Sequence, residues 1–212
     1  MTSFKHVWLA LPAVLCAWMF AGCTGSGVLS NPQEMTVKRE INLDGRTVVV
    51  VPCREGDGQY FGSFAGRELS ERLANEMRNH MPTTRLAGAV PLESIPSGPM
   101  TEAQMLSDLA AAAKADVVVT GHITEMRTQE PKTRLILRGT CSVDVTVYDV
   151  KTARNIKTWS VTVHYPDRGE GIPETDTTPT EVQSRVLQQT ADVIAKRFYT
   201  YKKSLGPQQV EW

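Results

Sequence analysis

Apolar and polar positions along this chain switch repeatedly between a two-residue and a four-residue period, and the switches mark out its elements. From Arg46 to Pro52, "RTVVVVP" is a continuous β-branched run, the pattern of a central strand covered on both faces. A Gly-rich turn, "REGDGQYFG", leads into a helix in which Phe61, Ala65, Leu69, Leu73, Met77 and Met81 recur every four residues. Glu68, Glu71, Arg72, Asn75, Arg78 and Asn79 fill its wet side, and Pro82 stops it. A short extended piece near Thr84 to Leu86 precedes the loop "PLESIPSGPM". Thr101 with Gln104 three residues on is a capping box, opening a helix that carries Met105, Leu106, Leu109, Ala110 and Ala113 and ends near Lys114.

"ADVVVTGHITEM" then reads as a second apolar strand. In "RLILRGTCSVDVTVYDV", Cys141, Val143, Val145 and Val147 alternate with Ser142, Asp144, Thr146 and Tyr148, so one face of this long strand is buried. "DVKTAR" is a hairpin turn, and "NIKTWSVTVHY" returns with Trp159, Val161, Val163 and Tyr165 on one side. After the polar loop "PDRGEGIPETDTT", Thr178-Pro179-Thr180-Glu181 combines a threonine N-cap, proline at the first helical position and glutamate at the third. Val182, Val186, Val193, Ile194, Phe198 and Tyr201 mark the apolar stripe of that last helix. The order of elements predicts an α/β fold of α+β-like character, three helices packed on one part-parallel, part-antiparallel sheet.

Ahead of this body, Val7 to Phe20 is a run of 14 uncharged residues, preceded by Lys5 and His6 and followed by Ala21 and Gly22. That is the three-part layout of an export signal. The run contains Pro12 and falls short of the roughly 20 apolar residues a spanning helix needs. Its ending, "FAGC", resembles the bacterial lipobox, with phenylalanine where leucine is usual. The resemblance implies lipid attachment at Cys23, which becomes the first residue of the mature chain; the alternative is a plain secretory signal that leaves Cys23 a free thiol. Thr24 occupies the position where aspartate marks inner-membrane retention, so the same resemblance implies the outer membrane. "TGSGVLSNPQE" then reads as a flexible tether.

The 212 residues hold 23 basic and 23 acidic side chains; with Lys5 removed, 22 face 23. That near-neutral balance argues against nucleic-acid binding, which wants clustered Lys and Arg. Removal of Cys16 and lipidation of Cys23 leave Cys53 and Cys141, which an oxidising periplasm would permit to pair; two buried, unpaired strand cysteines are the commoner outcome.

The β-branched strand ending in Pro52, the helix "FGSFAGRELSERLANEM", the strand "KADVVVTGHITEM" and the hairpin "VDVTVYDVKTARNIKTWSVTV" follow in the order of the CsgG/LpoB-like lipoproteins, and of the related N-terminal domain of TolB. The match runs over about 46–201, with Ala153 where the family's turn usually has glycine. The resemblance implies the domain boundaries: 1–22 signal peptide, 23–44 lipidated N-terminus and tether, 45–204 CsgG/LpoB-like α/β domain, 205–212 polar tail. It also implies two kinds of work, activation of a penicillin-binding protein by an outer-membrane lipoprotein, and subunits of a ring-shaped secretion channel. A channel needs spanning hairpins of alternating apolar residues, and "RTQEPKTR" is too charged to face lipid.

Candidate chemistry is sparse. Gly56, Gly58 and Gly62 have GxGxxxG rather than GxGxxG spacing, so a turn is expected in place of a nucleotide site. Ser63 in "GSFAG" misses nucleophile-elbow spacing and reads as a helix cap. His80, His122 and His164 lie on separate elements with no metal-ligand spacing, and Glu170, Glu174 and Asp176 read as loop solvation. Arg138, Asp144, Tyr148, Lys157 and His164 are candidates for an exposed hairpin face able to dock another protein. The expectation is a non-enzymatic envelope lipoprotein without cofactor or metal, anchored through Cys23 to the outer membrane, facing the periplasm and meeting an envelope protein partner. The alternatives are a subunit of an oligomeric secretion assembly and a small-ligand-binding lipoprotein.

Overall fold

The computed structural model describes residues 34–56, 63–87, 101–129, 136–167 and 171–204. The signal segment, Cys23, Phe61, Gly58, Gly62, Glu170 and the C-terminal tail lie outside the described residues. Two compact units divide the chain: Thr36–Lys202, and a second built from the two ends, in which only residues 34–35 and 203–204 are described.

The described elements are β1 (Glu34–Val37), β2 (Thr47–Val50), β3 (Arg54–Glu55), α1 (Phe64–His80), β4 (Arg85–Leu86), α2 (Glu102–Ala113), β5 (Val117–Gln129), β6 (Ile136–Asp149), β7 (Arg154–Tyr165), β8 (Ile172–Pro173), α3 (Pro179–Ala195) and β9 (Tyr201–Ser204). The main sheet runs β4-β2-β5-β6-β7, with β3 beside β5 and β8 beside β6, while β1 and β9 make a two-stranded sheet of their own. β4, β2 and β5 are parallel; β5, β6 and β7 form an antiparallel meander. The predicted class, three helices on a mixed sheet, is the observed one.

All three caps form where the sequence places them. Ser63 accepts from the Gly66 N–H, Thr101 and Gln104 close a full capping box, and Thr178 accepts from the Glu181 N–H ahead of Pro179. Such caps satisfy N–H groups that the first helical turn leaves without an intrahelical acceptor.

The sheet is covered unevenly. On one face α1 and α3 contribute Leu69, Leu73, Met77, Val186, Ile194 and the residues around them to a core over Val48, Val119, Ile123 and Cys141 to Val147. On the other, among the described residues, α2 sets Leu106, Leu109 and Ala110 over Val49, Val51, Val118 and Tyr148. β2 is therefore buried from both sides, as its unbroken valine run predicts. Gly139 on β6 lets α3 come down onto the sheet, since a Cβ there would meet Val186 Cβ at 2.9 Å.

Four details differ from the sequence reading. Ile41 and Leu43 are in the core, so the packed body takes in residues ahead of 45; two apolar residues flanking Asn42 are too brief a pattern to register as an element. α3 ends at Ala195, Phe198 is buried in the turn beyond it, and Tyr201 belongs to β9. Val193 is exposed, because the buried stripe instead follows Val182, Val186, Leu187, Thr190, Ala191 and Ile194. Arg72 is no wet-face residue: it bonds Glu68 at 2.5 Å, Ser184 at 2.8 Å and Gln188 at 2.8 Å, while Gln188 donates to Glu76, a polar clasp between α1 and α3.

In the β6–β7 turn the Thr152 N–H donates to Asp149, and that bond, with Arg46 at 2.6 Å, holds the Asp149 carboxyl below its ordinary range. Ala153 stands in the same turn at φ +53°, a left-handed conformation that costs a residue with a Cβ about 1 kcal/mol. Ala153→Gly should therefore raise stability by about 0.5 kcal/mol, the gain trimmed by glycine's greater freedom in the unfolded chain. Denaturant titration would read this as a higher midpoint at unchanged slope.

Candidate interaction surface

On the α2 side of the sheet, where no described helix covers β6 and β7, alternation places Thr140, Ser142, Asp144 and Thr146 of β6 beside His164, Thr162, Ser160 and Thr158 of β7. Each of these four register pairs is joined side chain to side chain. Thr140 bonds His164 Nδ1 at 3.1 Å, Ser142 bonds Thr162 at 3.0 Å, Ser160 donates to Asp144 at 2.5 Å, and Thr146 bonds Thr158 at 3.3 Å. The result is a ladder of short polar groups with Asp144 as its one carboxylate. Cross-strand pairs of this kind contribute a few tenths of a kcal/mol each and fix rotamers, leaving a flat, ordered surface.

Three of the five predicted hairpin-face residues, Arg138, Asp144 and His164, lie on this side of β6 and β7. Tyr148 does not remain exposed: it has the right parity but is only 4% accessible, because α2 closes over that end of the strand. Lys157 is on the helix side, in register with buried Val147, and pairs with Glu40. Lys157 and Arg197 together hold the Glu40 carboxyl below its ordinary range. His122, in register with Asp144, shares the open side, its Nε2 2.8 Å from the Gly56 carbonyl oxygen.

The remaining candidates disperse. His80 stacks on Tyr199 with ring centroids 4.4 Å apart, far along the chain from the other two histidines. Among the described residues no group of three His, Cys, Asp or Glu side chains could hold a metal ion. Glu174 and Asp176 are exposed in their loop. Gly56 sits at φ +65° and donates to the Ile123 carbonyl at 3.2 Å, so it turns the chain just after β3 pairs with β5. Cys53 and Cys141 are free and buried, and burial pushes both thiols up to about 11.

A groove of about 390 Å³ was not anticipated. It lies between α1 and the β2–β4 edge, with Val50 and Leu86 among its apolar residues and Arg67, Glu71, Asn75 and Arg78 along α1. Those four helix residues recur at spacings of four, four and three, which is a surface stripe in the sequence; nothing there says that a sheet edge faces it.

No helix among the described residues is long and apolar enough to cross a membrane. No family model matches the chain, and no curated protein matches it. Solved structures do align. A PelC dodecamer from Paraburkholderia phytofirmans gives a TM-score of 0.46 at 14% identity, over 78% of this chain and 94% of that one. The LpoB C-terminal domain from Escherichia coli gives 0.40 at 15% identity, over 57% and 84%. The lipoprotein GNA1162 from Neisseria meningitidis gives 0.42 at 14% identity, over 71% and 98%. These are loose superpositions.

Proposed function

We propose that this protein is a lipid-anchored component of the bacterial envelope, held to the outer membrane through Cys23, whose periplasmic α/β domain is a non-enzymatic docking module for another envelope protein. The observation that carries the reading is the bare polar face of β6 and β7. Among the described residues the sheet is packed on one side by α1 and α3 and covered on the other at its α2 corner. That leaves a flat polar platform carrying Asp144 and Arg138 on β6, with the Glu125–Arg127 ion pair of β5 beside Ser142 and Thr140. Short hydroxyl side chains that already bond one another have little freedom left to lose on docking. Anchoring adds to this by confining the domain near its partner at high effective concentration.

The test is photo-crosslinking in intact cells. A photoreactive residue at Ser142, on the platform, should give a discrete adduct with an envelope protein. The same residue at Arg185, exposed on α3, should not. Identical adduct patterns from the two positions would overturn the assignment of the surface.

A further inference from the structure

β7 is the last strand of the main sheet, and among the described residues nothing pairs with its outer edge. Natural sheets blunt such edges with charges, prolines or bulges. Here the register slips between Val147 and Tyr148, which pair with Lys157 and Asn155, and Pro166 follows the strand. Between those two interruptions residues 157–165 form a regular stretch whose only Lys, Arg, Asp or Glu is Lys157, at one end. On the helix side of this stretch Val161 is 6% accessible, while Trp159, Val163 and Tyr165 are covered only in part, so the apolar row stops at the edge unfinished.

We infer that this edge is a pairing site for a second copy of the chain, two β7 strands meeting antiparallel about a two-fold axis at Val161. The geometry selects that axis. A symmetric antiparallel pair keeps the apolar row on one side only if facing residues share parity, and an axis at Val161 is the choice that overlaps all of 157–165. It sets Trp159 opposite the partner's Val163, Ser160 opposite its Thr162, Thr158 opposite its His164 and Lys157 opposite its Tyr165. Aromatic meets β-branched, hydroxyl meets hydroxyl, and no two like charges face each other, the pairings that stabilise antiparallel ladders. The partner's side chains also extend the row that Trp159, Val163 and Tyr165 leave half-covered.

Nine residues a side is well below the 20–30 of a standard interface, so the expected affinity is of micromolar order. The pairing uses a backbone edge and so fails independently of the docking platform: a monomer would leave the Ser142 crosslink untouched.

Two variants of the full chain in detergent decide the matter. S160K/T162K sets lysine against lysine twice across the axis; S160K/T162E sets lysine against glutamate twice. Both lose the same Ser160–Asp144 bond and lie on the solvent side, so any effect on folding is largely shared, and thermal unfolding checks it. Light scattering at about 0.1 mM, far above a micromolar Kd, should find the unmodified chain and S160K/T162E dimeric, and a dilution series should find S160K/T162K self-associating at least tenfold more weakly than either. A monomeric unmodified chain overturns the inference. So does equal self-affinity of the two variants, which would mean that any dimer forms through another surface or register.

Discussion

Replacing Cys23 by serine should move the protein from the membrane fraction to the soluble fraction and abolish its labelling by a fatty-acid probe. Each methylene buried in a bilayer contributes about 0.8 kcal/mol, so even two long acyl chains hold a protein there for practical purposes permanently. No helix among the described residues is long and apolar enough to cross a membrane in its place. The effect should therefore be close to all-or-none, measured by fractionation and acyl labelling of the same cells. Persistent membrane partition of the serine variant, with unchanged labelling, would remove the anchor from the proposed function. The platform and the β7 edge would be left standing as properties of a differently located domain.

The second large effect is expected inside the fold, at Gly66. In the first turn of α1 the helix comes so near the chain after β2 that a Cβ on Gly66 would lie 2.1 Å from the Cys53 carbonyl oxygen and 2.9 Å from Ser63 Oγ. The approach is fastened in place. The Cys53 N–H donates to the Gly66 carbonyl at 3.2 Å and to Ser70 Oγ at 3.0 Å, and the Ser70 hydroxyl in turn lies 3.0 Å from the Val51 carbonyl. Because the obstacle is backbone, Gly66→Ala must lift the helix and break these bonds, at a cost of about 3 kcal/mol. Alanine's better helix propensity returns at most about 1 kcal/mol of that. The net loss of about 2 kcal/mol should lower Tm by roughly 4–8 °C. An unchanged Tm would show that α1 does not make this approach.

Where several sequence signals agree, the fold is legible before any coordinates. Thr101 with Gln104, and Thr178 with Pro179, announce helix starts through short-range chemistry that needs no tertiary partner, and both starts are found there. The alternation of Cys141, Val143, Val145 and Val147 likewise survives into the structure, because a strand with one helix-covered face has only one way to place them. What is not legible is set by neighbours distant in the chain. Tyr148 obeys the same alternation on the opposite side, yet α2, some 40 residues earlier, decides that it is buried. β3 and β8 are two residues long, too short to show any period, and exist because longer strands lie alongside, whereas the equally short β4 is the extended piece expected near Thr84 to Leu86. Lys157 is different. It shares the parity of Trp159, so its place on the helix side was readable, and only its charge suggested solvent. The groove beside α1 could not be read, since a polar helical stripe looks the same whether it faces water or a sheet edge.

The parallel half of the sheet also bears on how the chain assembles. β5, β6 and β7 are consecutive and joined by short connections, so they can zip together from neighbouring residues. β2 must wait for β5, whose partner residues arrive about 70 positions later, and closing so long a loop carries a larger entropic penalty. A polypeptide threaded across a membrane from its amino end would thus present Thr47–Val50, a bare greasy segment, before the strand that shelters it has emerged. The interval between those two arrivals is when this molecule has most need of a chaperone.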